Sequence, residues 1–278
     1  MGLFGSGVEI KTPEQIAVMR EAGLVVGRTL EVLRYAATAG VTTGELDTLA
    51  HDTIREQGAT SNFLGYGAQD PSGAGAFPGV ICTSVNDEVV HGIPGRRTLS
   101  DGDIVSIDCG AIVDGWHGDA AITVPVGSVS DEVTELLRIT EEAMWRGIAA
   151  ASIDGRVADI SNAVETYVRS QGDGAHQWGI VEGFTGHGIG SAMHQPPDVP
   201  NVVGRTRGPR LVRGLALAVE PMVTLGSPET RVLADGWTAV TTDGSWSAHF
   251  EHTFAITEAG IWVLTALDGG EAALAALQ

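Results

Sequence analysis

Cysteine is nearly absent: Cys82 and Cys109 are the only two in 278 residues, so no disulfide framework holds the fold, which suits a reducing cytoplasm. Basic residues are also scarce. The 16 Lys and Arg against 35 Asp and Glu give a formal charge of −19, which argues against nucleic acid or an anionic membrane as partner, since both need a basic face. No apolar run reaches about 18 residues, and no basic stretch followed by an apolar one opens the chain, so neither a span nor a secretory signal is expected. MGLFGS meets a loose myristoylation pattern at Gly2. So short a pattern arises often by chance, and a flexible glycine-rich start is the expected reading. Contexts for other chemistry are missing too. Ser84 and Ser106 lack a nucleophile elbow, and the glycine runs lack the Lys or flanking strand of a phosphate loop.

What is present suits a soluble enzyme: 43% hydrophobic content is ample for a core. Residues 13 to 37 read as an amphipathic helix, with Thr12 as cap before Pro13 and apolar Ile16, Met19 and Val26 on one face. Residues 43 to 57 read as a second helix ended by Gly58. The second half opens the same way, with helices expected over 130 to 150 and 157 to 171. Strand-like runs follow in each half. A shift of 112 residues lays GDIVSID over GLALAVE, Asp108 on Glu220, and a shift of 132 lays Asp119 on Glu251. One catalytic domain over 1–278 is therefore expected, built of two similar halves of approximately 10–125 and 130–265, whose pseudo-twofold relation would bring four acids together.

Asp108, Asp119, His187, Glu220 and Glu251 all stand beside strand-like sequence. Asp108 and Asp119 flank the turn Asp114-Gly115, as paired ligands on a hairpin would. A lone acid at a strand end is ordinarily a solvated edge residue, but four acids converging without Lys or Arg nearby would repel strongly. Four carboxylates and an imidazole can instead hold two divalent ions side by side, because each carboxylate chelates one ion or bridges both. A two-metal hydrolase is the expectation. His51, His117 and His176 are read as surface or core histidines. His91, His187 and His194 differ, each lying in a glycine- or proline-rich turn, where function commonly resides.

Taken together, VNDEVVHGIP, GDIVSIDCGAIVDGWHGDAA, GHGIGSAMHQPP, EPM and SAHFEHT closely resemble the type I methionine aminopeptidases, over about residues 10 to 265. The resemblance implies an α+β pita-bread fold, two pseudo-symmetric halves around a curved antiparallel sheet with outer helices. It implies that Asp108, Asp119, His187, Glu220 and Glu251 hold two divalent ions (Co, Mn or Fe), with Asp119 and Glu251 bridging. By the same resemblance His91 and His194 face the substrate: His194 stabilises the oxyanion, His91 holds the scissile amide nitrogen or aids its departure, and Glu220 shuttles a proton. The implied partners are N-terminal methionyl peptides and nascent chains, met by a cytoplasmic monomer. With no zinc-finger extension expected, any ribosome association would use other surfaces.

Family positions lining the methionine side chain fall on Tyr66, Phe77, Cys82, Met193 and Trp237, a soft apolar set suited to a thioether. For these, ordinary core packing is the competing reading. Extra residues between Tyr66 and Phe77 depart from the family pattern; the glycine-rich 67–76 loop is expected to be a mobile pocket wall. His249 stands two before Glu251 where relatives commonly have Gln, placed to tune or add to the metal site. Two other readings share the fold: a proline-specific peptidase, which usually carries a further N-terminal domain, and a non-catalytic binding protein, which tends to lose ligands.

Overall fold

The structure, a computed structural model, describes residues 7–68, 75–172 and 177–277. Four long helices form where caps and periodicity place them. Helix α1 (Pro13–Ala36) starts with a reciprocal capping box between Thr12 and Gln15, and α2 (Thr43–Glu56) with one between Thr42 and Glu45. Helices α3 (Asp131–Ala149) and α4 (Val157–Ser170) pack against each other, and a short α5 (Glu271–Ala276) follows the last strand. Each long helix ends one residue before its expected limit, where caps such as Gln57 and Gln171 take over. Among the described residues no helix is long and apolar enough to cross a membrane.

A nine-stranded antiparallel sheet carries the core. Its path runs Thr60–Ser61, Ile104–Val113, Trp116–Pro125, Glu251–Thr257, Ala216–Val219, Gly186–Gly188 and Gln195–Val199, with Ile81–Val85 also on the second strand and Gly260–Val263 also on the fourth. The central hairpin turns at Asp114 and Gly115, whose φ values of 48° and 81° are the two positive angles of a type I′ turn. Both faces of the Ile104–Ile107 stretch are buried. Ser106 is satisfied there by Thr123, whose hydroxyl also donates to the His249 carbonyl.

Register decides where the acids go. Asp108 pairs with Ala121, and Ala121 with Glu251, so the three lie in one row across the sheet. Asp119 is two residues from Ala121 and shares its face. Val219 pairs with His252, so one further step brings Glu220 level with Glu251. Cys82 pairs with Asp108 and extends the row outward. The acids thus follow the strand order Asp108, Asp119, Glu251, Glu220, and the methyl of Ala121 leaves room between them.

Candidate metal centre and substrate pocket

The donors converge from distant stretches of chain onto one sheet face. His187 Nε2 lies 3.4 Å from Glu220 Oε1 and 4.0 Å from Glu251 Oε1. Its Nδ1 is 3.0 Å from the Gly188 carbonyl, which can only accept, so Nδ1 carries the proton and Nε2 turns its lone pair into the cluster. Two overlapping groups result: Asp108, Asp119 and Glu251, and His187, Glu220 and Glu251, in each of which donor atoms lie within 4.8 Å of one another. Glu251 belongs to both. Asp119 and His187 also form a third group with His194, whose side chain stands at the mouth.

Unpaired atoms decide whether these residues fit divalent ions. Asp108 Oδ1, Asp119 Oδ1 and Glu251 Oε1 are buried without a hydrogen-bond partner. Among the described residues no Lys or Arg pairs with any of the four acids; their charged-type neighbours are His187 and His249. Burial, reinforced by mutual repulsion, pushes Asp119, Glu220 and Glu251 well above the usual carboxylate range, and burial lifts Asp108 to about 7. Burial, with His194 nearby, depresses His187 to about 3, so it is a neutral donor. Cys82 is no competing thiolate, because burial and then Asp108 raise its pKa well above normal. A largely buried set of oxygens and one imidazole, short of cations, fits hard to borderline divalent ions.

Beside the acids opens a cavity of about 150 Å³. Phe77, Cys82 and Met193 form its apolar floor together with Phe63, with Ile93 and Trp237 packed against them. Tyr66 plays a different part from the other pocket candidates. It is 40% exposed, its hydroxyl is 2.6 Å from His194 Nδ1, and its ring meets the imidazole edge-on. His91 adopts φ 61°, a strained backbone for a non-glycine residue, and its ring stands edge-to-face with Phe184 and Trp237. Burial and then His194 pull its pKa to about 4. His249 also lines the cavity, 2% exposed, with Nε2 unpartnered and 3.8 Å from Glu220 Oε2.

Every site residue expected from sequence therefore lines this one cavity. Phe63 and Phe184 line it too and were not anticipated; the one available signal was Phe63's place three residues before Tyr66. His51 is exposed on α2, and His117 bonds Asn62 at 3.3 Å. His176 and Gly2 lie outside the described residues, as do residues 69–74 of the 67–76 loop. The ends of that loop are tied together: Phe77 N donates to Tyr66 O at 2.8 Å and Gly65 N to Phe77 O at 2.9 Å.

Comparison with known proteins follows the same lines. A profile described as metallopeptidase family M24 matches residues 17–258. Methionine aminopeptidase 1 of Bacillus subtilis is 47% identical over 255 residues, covering 92% of this chain and 98% of the relative. The crystal structure of methionine aminopeptidase from Thermotoga maritima superposes with a TM-score of 0.87 at 38% identity, covering 93% of this chain and 99% of the other. Its pita-bread fold is the fold described above. Prolidase from Pyrococcus furiosus shares the fold at 20% identity and TM-score 0.71, but this chain covers only 65% of it.

Proposed function

The chain belongs to metallopeptidase family M24, and we propose that it removes N-terminal methionine from peptides and nascent proteins when the second residue is small, working in the cytoplasm. The carrying observation is the set of partnerless carboxylate oxygens sharing Glu251 and opening onto an apolar cavity floored by Phe63, Phe77, Cys82 and Met193. Two ions fit better than one, because three acids make one donor group and His187, Glu220 and Glu251 the other. Glu251 is common to the two groups, and Asp119, which also groups with His187 and His194, is the second residue placed to bridge. Bound there, divalent ions such as Co, Mn or Fe would supply Lewis acidity toward a water molecule, the scissile carbonyl and the free α-amino group.

The remaining roles belong to side chains. Tyr66 at His194 Nδ1 leaves His194 Nε2 free to donate to the carbonyl oxygen as negative charge develops there. His91, neutral and held by Phe184 and Trp237, faces the leaving amide nitrogen. Glu220 has one oxygen toward His187 and the other toward His249, close enough to the reacting groups to pass a proton. The floor residues present two aromatic rings, a thiol and a thioether, a soft surface matched to a methionine side chain.

The deciding experiment tests metal-stripped and Mn-, Co- or Fe-reconstituted protein on Met-Gly, Met-Leu and Xaa-Pro peptides. Activity should vanish on chelation, return with metal, and favour Met-Gly. Undiminished turnover after stripping, or preference for Xaa-Pro, defeats the reading. His194→Ala should lower kcat by about 10² to 10³ with metal content unchanged, the usual cost of one oxyanion donor.

A further inference from the structure

The only lysine of the chain is buried where the reaction does not reach it. Lys11 is 4% exposed and lies just before α1. Its ammonium meets the Glu9 carbonyl at 3.1 Å, the Gln195 side chain at 3.4 Å and the Glu9 carboxylate at 3.6 Å. Burying an ammonium is expensive unless it is paired, and every other Lys or Arg position in this sequence is arginine. The Glu9 carboxylate continues the network, accepting from Ser191 N at 3.0 Å and from Ser191 Oγ at 2.8 Å. The Gln195 amide donates to the same Ser191 hydroxyl at 3.2 Å. Below, Lys11 N donates to the Gly214 carbonyl at 2.8 Å and anchors the segment to the body of the protein.

These contacts bracket Met193 and His194. Ser191 precedes them, Gln195 follows, and just before Ser191 the Gly190 carbonyl accepts from His117 N at 3.0 Å. The fit is tight: a Cβ at Gly190 would come 2.2 Å from Glu9 Oε2 and 2.3 Å from Lys11 Cε. His194 itself is exposed at the mouth, on a connection between two short strands. Its ring nonetheless has to sit within a fraction of an ångström of a reacting oxygen, since a 1 Å misplacement can cost about 10²-fold in rate.

We propose that Glu9 and Lys11 are positioning residues for the reaction, forming a clamp through Ser191 and Gln195 that holds the loop bearing Met193 and His194 in its working place. The inference rests on the reading of His194 as a substrate-facing donor. Neither Glu9 nor Lys11 lines the cavity, so the clamp acts only through the loop.

A double-mutant cycle separates this from plain stabilisation, because residues acting through one another lose additivity. Metal-loaded full-length wild type, Glu9→Ala, His194→Ala and the double variant are compared on a Met-Ala-Ser peptide below their unfolding temperatures, with metal content measured for each. Glu9→Ala should lower kcat about 10- to 100-fold with metal content unchanged, whereas in the His194→Ala background the same change should cost less than threefold. Lys11→Met, which keeps the buried stem and removes the charge, replaces Glu9→Ala in the cycle should that variant fail to fold. Losses that multiply, or a Glu9→Ala enzyme within twofold of wild type, overturn the clamp while leaving the His194 reading intact. A His194→Ala enzyme with full kcat overturns the His194 reading and the clamp with it.

Discussion

At the scale of single residues, His249 is the side chain whose surroundings ask most of it. Its backbone is fixed from both sides by Thr123, and its buried Nε2 faces the Glu220 oxygen that His187 does not approach. A donor there would orient the Glu220 carboxylate, and a metal ligand that loses such a partner typically loses about 10- to 100-fold in metal affinity. His249→Gln retains a side-chain N–H, so its affinity for Mn(II), titrated into stripped protein by calorimetry, should stay within about threefold of wild type. His249→Leu keeps the bulk alone and should weaken binding by about 10-fold or more. Equal affinity in all three proteins would make the ring a space filler. The four converging acids and His187 were legible as candidates in the sequence because Asp, Glu and His beside strand-like runs carry their chemistry in their residue type. Phe63, Phe184 and the Tyr66–His194 bond were not, since aromatic residues in loops look the same whether they pack a core, a pocket or a catalytic ring.

Among the elements, some helix ends and the central hairpin were readable from local chemistry: the Thr12 cap before Pro13, Gly58 after the second helix, and a turn requiring positive φ at Asp114 and Gly115. The short strands of the second half were harder, because stretches such as Gly179–Ile180 or Met222–Thr224 are too brief to show a period. Glycines in α1 were also silent. A Cβ at Gly23 would fall 2.2 Å from the Leu264 carbonyl oxygen, and one at Gly118 would fall 2.8 Å from Gly23 N, so helix and sheet backbones meet directly there. In an exposed helix, Gly→Ala would gain about 1 kcal/mol from propensity. Here the clash is with backbone, which cannot rotate away, and overpacking of that kind costs about 1–3 kcal/mol. Gly23→Ala should therefore lower the urea midpoint. An unchanged or higher midpoint would show that α1 can slide away from the sheet without loss.

For the whole molecule, convergence of the acids was only partly readable. The overlays of Asp108 on Glu220 and Asp119 on Glu251 suggest a meeting, but the shared row through Ala121 joins the local hairpin pairing with Asp108 to a pairing with Glu251, more than a hundred residues further along the chain. The convergence has a cost that pH should expose in metal-free protein. Burial raises Asp108 from 3.8 to about 7, and raises Asp119, Glu220 and Glu251 well above their usual values. For such groups the stability contribution is fully present below the unfolded pKa, near 4, and is lost as pH rises through the folded one. Buried histidines act oppositely: His187 and His249 at about 3, and His91 and His252 at about 4, lose stability as pH falls below 6.5. The two sets oppose each other between about pH 4 and 6.5. Above 6.5 these histidines are neutral in both states, and Lys11, depressed to about 8, begins to contribute only beyond that pH. Between pH 6.5 and 8 the raised acids, Asp108 at about 7 among them, give a downward slope, so stripped protein should lose stability as pH rises. Divalent ions take the place of the departing protons, so their stabilisation should grow over the same window. Thermal unfolding with and without Mn(II) at pH 6.5 and 8 checks both signs. The Tm of stripped protein should fall by at least about 3 °C, the shift that about 1 kcal/mol gives in a chain of this size, while the Mn(II)-induced rise becomes larger. A stripped-protein Tm that is flat or rising across that interval would mean the acids are already ionised without metal and hold no charge that ions need to neutralise.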